Sequence, residues 1–273
     1  MAIDSESNFD QKYLNILLNR INVCKRYKPQ FGQSQNAGLS LDEFQALYSA
    51  DVFYSWFGLD NPMMYAAHKA AGGITSVYRQ IGTGCEEVIR QIFMDHLGLK
   101  LEQAKWSYIL KTRGAQKRTL SLDGRIALAD VSSARASKKI SAWLNRSADY
   151  LDVAPKMKRA LQGAVFEIRQ GYKSKDSKRQ NADLANAATA YSQGYLPVVL
   201  VLSTQIDNDI AERYEGEKWL ILRGTMSGSS IQSTYTFTRD VIGYDLAGFF
   251  QRNSFEFKTA TEDVLRVLLN VND

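Results

Sequence analysis

The hydrophobic pattern of the first hundred residues is helical. Apolar residues recur at helical spacing over residues 9–28, 51–71 and 75–97, which predicts helices there, the second interrupted at Asn61-Pro62. Gly72-Gly73 predicts a break before the third helix, because glycine lowers helix stability. The N-terminal part, residues 1–75, is therefore predicted to be helical.

Strand patterns alternate with helical ones in the rest of the chain. The first two predicted strands are close enough in sequence to form a β-hairpin. Strands are predicted at 104–112, 118–122, 164–169, 196–203, 219–224 and 234–238, and helices at 131–160, 181–193 and 260–269. This order predicts an α/β core over residues 76–273, and no linker interrupts the chain, so we expect a single domain over 1–273.

Composition excludes several classes of protein. An apolar fraction of 45% and a charged fraction of 23% are typical of a globular chain. Two cysteines and two histidines cannot form a disulfide framework or a His-rich metal cage, and no G-x-S-x-G motif is present. The N-terminus lacks the basic and apolar regions of a secretory signal, so we expect a cytoplasmic protein with no membrane association.

Positive charge is concentrated in one short segment. The chain carries a net charge of +5, and the stretch from Arg169 to Arg179 alone has five cations against one acid. Lysine, arginine, glutamine and asparagine side chains can neutralise phosphates and reach base edges. The candidate DNA contacts are Lys173, Lys175, Lys178, Arg179, Gln180 and Asn181. The alternative is a charged run that only contacts solvent.

Three acidic residues are spaced so that carboxylates could meet at strand ends. Asp123 follows a predicted strand, Glu167 lies within the next one, and Glu86 is on the preceding helix. Two carboxylates a few ångströms apart repel each other, and a hard divalent cation commonly relieves that repulsion. Mg²⁺ in such a position can orient water for attack on phosphorus.

Each of these residues also has a simpler interpretation. Asp123-Gly124 is a strong turn signal by itself. Glu167 could form a structural ion pair with Arg169 or a lysine, and Glu86 could be a solvated helix residue. A cluster of aromatic residues is better explained as core or as a dimer contact than as a platform for stacking bases; its members are Phe53, Tyr54, Trp56 and Phe57.

The segments LSLDGRI and VFEIRQGYKSKD together resemble the PD-(D/E)xK nuclease superfamily, and within it the type II restriction endonucleases. In this resemblance Asp123 is the first acid and Glu167 the second, and both ligate the metal. The segment GTGCEEVIRQIF looks like the helix whose glutamate, here Glu86, supports the metal site. The resemblance covers roughly residues 82–203. It implies a restriction-endonuclease-like core with a mixed central β-sheet flanked by helices, Mg²⁺-dependent cleavage of double-stranded DNA, and a homodimer.

The chain departs from the family pattern in two respects. Arg169 stands where the motif has lysine, so either Arg169 has an electrostatic role or Lys173 reaches the site. The stretch between Asp123 and Glu167 is longer than a hairpin needs, which predicts an inserted helix. Three other functions stay open at this point: a structure-selective or repair nuclease, a non-catalytic sequence-specific DNA-binding protein, and an enzyme that acts on an acidic small molecule.

Overall fold

The computed structural model describes residues 2–31, 38–111, 117–171 and 186–270. Contacts between residues divide the chain into two compact units. The first, which we call the helical unit, comprises Met1–Gly84 and Gln251–Asp273, and the second, the sheet unit, comprises Cys85–Phe250. The sequence pattern places the end of the helical part at residue 75, close to this division. The prediction that the chain is a single domain stays a prediction.

The helical unit is built from amphipathic helices. Its helices are α1 (Ala2–Val23), α2 (Leu41–Ala50), α3 (Val52–Trp56), the first part of α4 (Pro62–Leu97) and α12 (Ser254–Leu269). Ser40 and Glu43 form a capping box that starts α2. Apolar side chains from α1, α4 and α12 form one buried cluster that includes Ile21, Val77 and Val264.

The predicted break at Gly72-Gly73 is wrong, because both glycines lie inside the continuous helix α4. A Cβ atom at Gly72 would overlap the Tyr27 side chain, and one at Gly73 would overlap Leu268. Glycine at these positions therefore lets the two side chains pack directly against the backbone of α4. That packing outweighs the roughly 1 kcal/mol that a glycine costs inside a helix.

The sheet unit contains a hairpin, a four-stranded sheet and the helices around them. Its strands are β1 (Trp106–Lys111), β2 (Lys117–Leu122), β3 (Gly124–Ala127), β4 (Gly163–Arg169), β5 (Tyr195–Val201) and β6 (Leu220–Leu222). Its helices are the second part of α4, α5 (Leu101–Ala104), α6 (Ala134–Tyr150), α7 (Pro155–Ala160), α8 (described over 186–192), α9 (Asn208–Gly216), α10 (Thr234–Phe237) and most of α11 (Leu246–Arg252). The unit is therefore α/β, as the sequence predicts.

Strand order in the main sheet is β3-β4-β5-β6. Strands β4, β5 and β6 are parallel, and β3 pairs antiparallel with β4, so the sheet is mixed. Strands β1 and β2 form a separate antiparallel hairpin, which confirms that prediction. The carboxyl ends of the parallel strands meet at one edge, where ligands of open α/β sheets commonly bind.

The two faces of the main sheet are covered by different elements. On one face, Phe166 of β4 contacts Phe93 of α4, Trp143 of α6 and Phe237 of α10. On the other face, Val165, Val199, Val201 and Ile221 join one core cluster with residues of the hairpin, α8 and α9. Glu167 and Arg169 alternate with Phe166 along β4, so they belong to this second face.

Two further predictions about secondary structure have clear outcomes. Helices α6 and α7 lie between Asp123 and Glu167, which confirms the predicted insertion. The strand predicted at 234–238 is wrong, because that segment begins with the helical turn α10. The Thr234 hydroxyl donates to the carbonyl oxygens of Val201 and Leu222, so tertiary contacts outweigh the strand preference of this segment. In the described part of the chain, no helix has the length and apolarity needed to span a bilayer.

Candidate active site

Asp123 lies between the hairpin and the main sheet, directly before β3. Strands β3 and β4 are antiparallel, and Gly124 pairs with Phe166. The residue before Gly124, which is Asp123, therefore lies opposite the residue after Phe166, which is Glu167. Oδ2 of Asp123 accepts a hydrogen bond of 2.8 Å from the backbone N–H of Ile168. The Asp123 carboxylate is thus held at the peptide bond that follows Glu167. The turn interpretation alone does not account for this contact.

Glu167 and Arg169 form a buried ion pair on the same face of β4. Nη2 of Arg169 contacts Oε1 of Glu167, and the two side chains are only 12% and 7% exposed, respectively. Charged groups this deeply buried require a partner. The structure therefore contains the ion pair suggested for Glu167. Its partner is Arg169, the residue at the motif's lysine position.

Arg90 fixes the backbone at the start of β3. Its Nη1 atom donates to the carbonyl oxygen of Asp123 over 3.2 Å. Sequence reasoning missed Arg90, although a signal existed. Glu86 and Arg90 are four residues apart on α4, so they share one face of that helix. A search for the face that carries Glu86 would have found Arg90.

Glu86 lies on α4 one turn before Arg90, next to Cys85. Burial, with a smaller effect from Glu86, raises the pKa of the Cys85 thiol to about 12. Burial followed by an interaction with Cys85 raises the pKa of Tyr235, whose hydroxyl donates to the carbonyl oxygen of Leu202. The Tyr235 hydroxyl thus lies just beyond the carboxyl end of β5, and the residue that affects its pKa is Cys85, the neighbour of Glu86 in the sequence. A thiol with such a raised pKa stays protonated at neutral pH, which rules out Cys85 as a nucleophile.

A second arginine lies in the same row of the sheet as Arg169. Arg169 pairs with Val201, and the β5–β6 register carried one residue beyond Leu222 pairs Val201 with Arg223. The two arginines are therefore on one face, two strands or about 10 Å apart. Arg223 is half-buried, and its side chain makes no hydrogen bond or ion pair with another described residue. Its sequence signal is LRG at the end of a buried strand, comparable with IRQG after Glu167.

The predicted DNA-contacting segment cannot be compared with the structure. Residues 172–185 lie outside the described part of the chain, and they contain all six predicted contacts. These are Lys173, Lys175, Lys178, Arg179, Gln180 and Asn181. Their role stays a prediction, as does the choice between Arg169 and Lys173.

The chemistry of the described donors fits Mg²⁺. Within the described ranges, no group of three or more His, Cys, Asp and Glu residues could hold a metal, so Glu86 does not complete such a group with Asp123 and Glu167. Asp123 precedes β3 and lies opposite Glu167 of β4. Mg²⁺ typically uses one or two carboxylates together with substrate phosphates and water. The donors suit an ion that arrives with a phosphate.

Comparison with protein-family models, with curated proteins and with solved structures finds no match to this chain.

Proposed function

We propose that the chain is a Mg²⁺-dependent type II restriction endonuclease that hydrolyses phosphodiester bonds in double-stranded DNA. The observation that carries the proposal is the hydrogen bond from the Ile168 N–H to the Asp123 carboxylate. It brings the first acid of the motif against the strand that bears Glu167 and Arg169. The two acids and the arginine, a permanent cation, lie together at one end of the sheet. Such an arrangement suits the transfer of a phosphoryl group.

Each residue has a defined task in this proposal. Asp123 and Glu167 would hold Mg²⁺, which when bound polarises a phosphate oxygen and activates water. The guanidinium group of arginine is a permanent cation in proteins, so Arg169 would act as a positive charge beside the phosphate. Arg90 positions Asp123 through its backbone carbonyl. Lys173 is the other candidate for the task of Arg169.

The cell biology and the assembly belong to the same proposal. A cytoplasmic enzyme acting on foreign DNA and a homodimer matching a two-fold DNA site are what the resemblance implies, together with a restriction-endonuclease-like core. A mixed sheet with helices on both faces supports that core but occurs in many other proteins.

One observation favours a second candidate, a non-catalytic DNA-binding protein. The buried pair between Arg169 and Glu167 would persist if the metal site had been lost, because the arginine then neutralises the carboxylate permanently. This candidate predicts DNA binding without Mg²⁺-dependent cleavage.

The test is incubation of the purified chain with plasmid and phage DNA, with and without Mg²⁺. The proposal expects discrete, reproducible fragments that require Mg²⁺ and a loss on the order of 10³-fold in cleavage rate for Asp123→Asn. Glu217→Gln, an exposed carboxylate beyond α9, is the matched control and should cleave normally. Intact DNA across a range of salt and metal conditions would overturn the proposal. Mg²⁺-dependent cleavage without discrete fragments would indicate a structure-selective nuclease instead.

A further inference from the structure

Helix α6 carries a stripe of positive charge on its exposed face. Successive residues of an α-helix are turned by about 100°, so residues spaced by three, four or eleven positions lie on the same face. The α6 stripe consists of Arg135, Lys138, Lys139 and Arg146. All four residues are exposed, and they extend over about 16 Å of the helix.

Acidic residues do not balance the charge of the stripe. Residues 131–148 contain no aspartate or glutamate. The next acid along the chain, Asp149, pairs with Lys158 of α7, and Asp240, which lies near the stripe, pairs with Arg239. None of the four cations forms an ion pair with a described residue. The stripe therefore presents its positive charge to solvent.

Helix α12 shows how different this is from a helix face that only contacts solvent. Its 16 residues, close to the 17 of α6, carry three acids and two cations. One of these cations, Arg266, pairs with Glu262 one turn away. Charges of both signs along an exposed face are typical of a solvated helix, and α6 lacks the negative ones.

Two residues of the stripe are held in place by neighbouring segments of the sheet unit. Nζ of Lys139 donates to the carbonyl oxygen of Asp240 over 3.2 Å, and Nη2 of Arg146 donates to the hydroxyl oxygen of Ser230 over 3.4 Å. On the inner side of α6, the buried indole N–H of Trp143 donates to the carbonyl oxygen of the same serine over 2.8 Å. Because the helix is fixed in this way, little conformational freedom of the backbone would be lost when a ligand binds to it.

The surroundings of the stripe favour nucleic acid over a lipid surface as its ligand. A basic helix that binds a membrane places an apolar face in the lipid. The apolar face of α6, which includes Ile140, Trp143 and Leu144, is instead buried in the core of the sheet unit. Double-stranded DNA carries about one negative charge per 1.7 Å of its axis, so it offers phosphates along the whole length of the stripe.

We propose that the α6 stripe binds the phosphate backbone of double-stranded DNA. The choice of DNA among polyanions rests on the proposed function, whereas the unbalanced charge of the stripe does not. Trp143 of α6 packs on Phe166, which lies on the face of the main sheet opposite to Glu167 and Arg169. The stripe is thus a second contact outside the candidate active site, and it holds DNA by charge without reading the sequence.

The test compares two double variants that each remove two cations from an exposed helix face. Arg135→Gln/Lys138→Gln removes half of the stripe, and neither side chain bonds to a described residue, so the fold should be retained. Lys258→Gln/Arg266→Gln on α12 is the matched control with the same loss of charge. Fluorescence anisotropy with a DNA duplex in EDTA measures affinity against salt concentration. The stripe variant should lower the slope of log affinity against log salt by about 1.8, or about 0.9 for each lost phosphate contact, and the control should leave it unchanged.

The outcomes separate this inference from the nuclease proposal. An unchanged slope for the stripe variant, or equal reductions for both variants, would overturn the inference even if Mg²⁺-dependent cleavage is observed. Binding to vesicles that contain phosphatidylserine, without binding to the duplex, would also overturn it. The expected loss of slope in a chain that never cleaves DNA would overturn the nuclease proposal alone.

A cross-linking experiment distinguishes direct contact from a general effect of charge. Ala142 is exposed within the stripe, between Lys139 and Arg146, and both native cysteines are buried. Ala142→Cys carrying a photoreactive aryl azide should cross-link to the duplex much more efficiently than Thr259→Cys, which is exposed on α12. Equal yields of cross-linked DNA would contradict the inference.

Discussion

The two units place their charged and aromatic residues in opposite environments. In the sheet unit, Glu167 and Arg169 are buried together, while Trp143 is fully covered. In the helical unit, the ion pair between Lys25 and Asp263 is exposed, and so is Trp56. Buried charge and exposed aromatic surface both cost free energy, so each indicates a role other than stability. The sheet unit therefore holds the candidate chemical site, whereas the helical unit holds an exposed aromatic surface.

The largest expected effect concerns the two ion pairs. Arg169→Ala leaves the buried Glu167 carboxylate without this partner and should lower the free energy of unfolding by about 3–5 kcal/mol. Lys25→Ala should change it by less than about 1 kcal/mol, because solvent screens that pair. Urea denaturation of both variants measures the contrast.

The double variant Glu167→Met/Arg169→Met is the control for that experiment. It removes both charges and retains similar volume, so it should recover most of the lost stability. Equal losses for Arg169→Ala and Lys25→Ala would remove the contrast between the units.

The second effect is a pH dependence in the sheet unit. The pKa of Cys85 is raised to about 12 by burial, whereas an unfolded thiol titrates near its ordinary value of about 8.5. Between these values the unfolded chain releases a proton that the folded chain keeps, so stability falls as the pH rises through this window. From pH 7.5 to pH 10, wild type should lose about 1–2 kcal/mol more than Cys85→Ala. Parallel stability curves for the two proteins would contradict this expectation.

A third prediction concerns the row that contains both arginines. If Arg223 contacts a DNA phosphate, Arg223→Ala should reduce the slope of log affinity against log salt concentration by about 0.9. Arg159→Ala, an exposed arginine on α7, should leave the slope unchanged. Fluorescence anisotropy with a DNA duplex in the absence of Mg²⁺ measures the slope without cleavage. An unchanged slope for Arg223→Ala excludes this contact.

The smallest effect is expected for the exposed tryptophan. Trp56→Ser should change the unfolding free energy of the monomer by no more than about 0.5 kcal/mol, since its ring is largely in solvent. Trp143→Ala, by contrast, should cost about 3–5 kcal/mol through lost packing. Denaturation at protein concentrations where both variants are monomeric compares them. A large loss of unfolding free energy for Trp56→Ser would mean that the Trp56 ring belongs to a core.

The sequence predicted most of the strands because their patterns are local. The hairpin, β4 and β5 are each specified by short runs of apolar and β-branched residues. Errors arose where distant residues decide the conformation. Tyr27 and Leu268 pack directly against glycines inside α4, and the carbonyl groups of β5 and β6 bind Thr234 in a helical turn.

The candidate site divides in the same way. The sequence alone shows the types and the order of Asp123, Glu167 and Arg169. It also shows the local concentration of cations that follows them. Arg90 and Arg223 were missed, because their relevance depends on a helix crossing and on the register of three parallel strands.

The sequence by itself determined the α/β pattern, the inserted helix and the order of the acids Asp123 and Glu167 along the chain, since these depend on residue type and spacing. Only the tertiary structure decided that the Asp123 carboxylate lies at the peptide after Glu167, that Arg169 neutralises Glu167, and that the aromatic cluster is exposed. Burial and pairing are properties of the whole chain, because they depend on which distant segments cover a residue. The local pattern of apolar and polar residues does not show which distant segments will cover a residue.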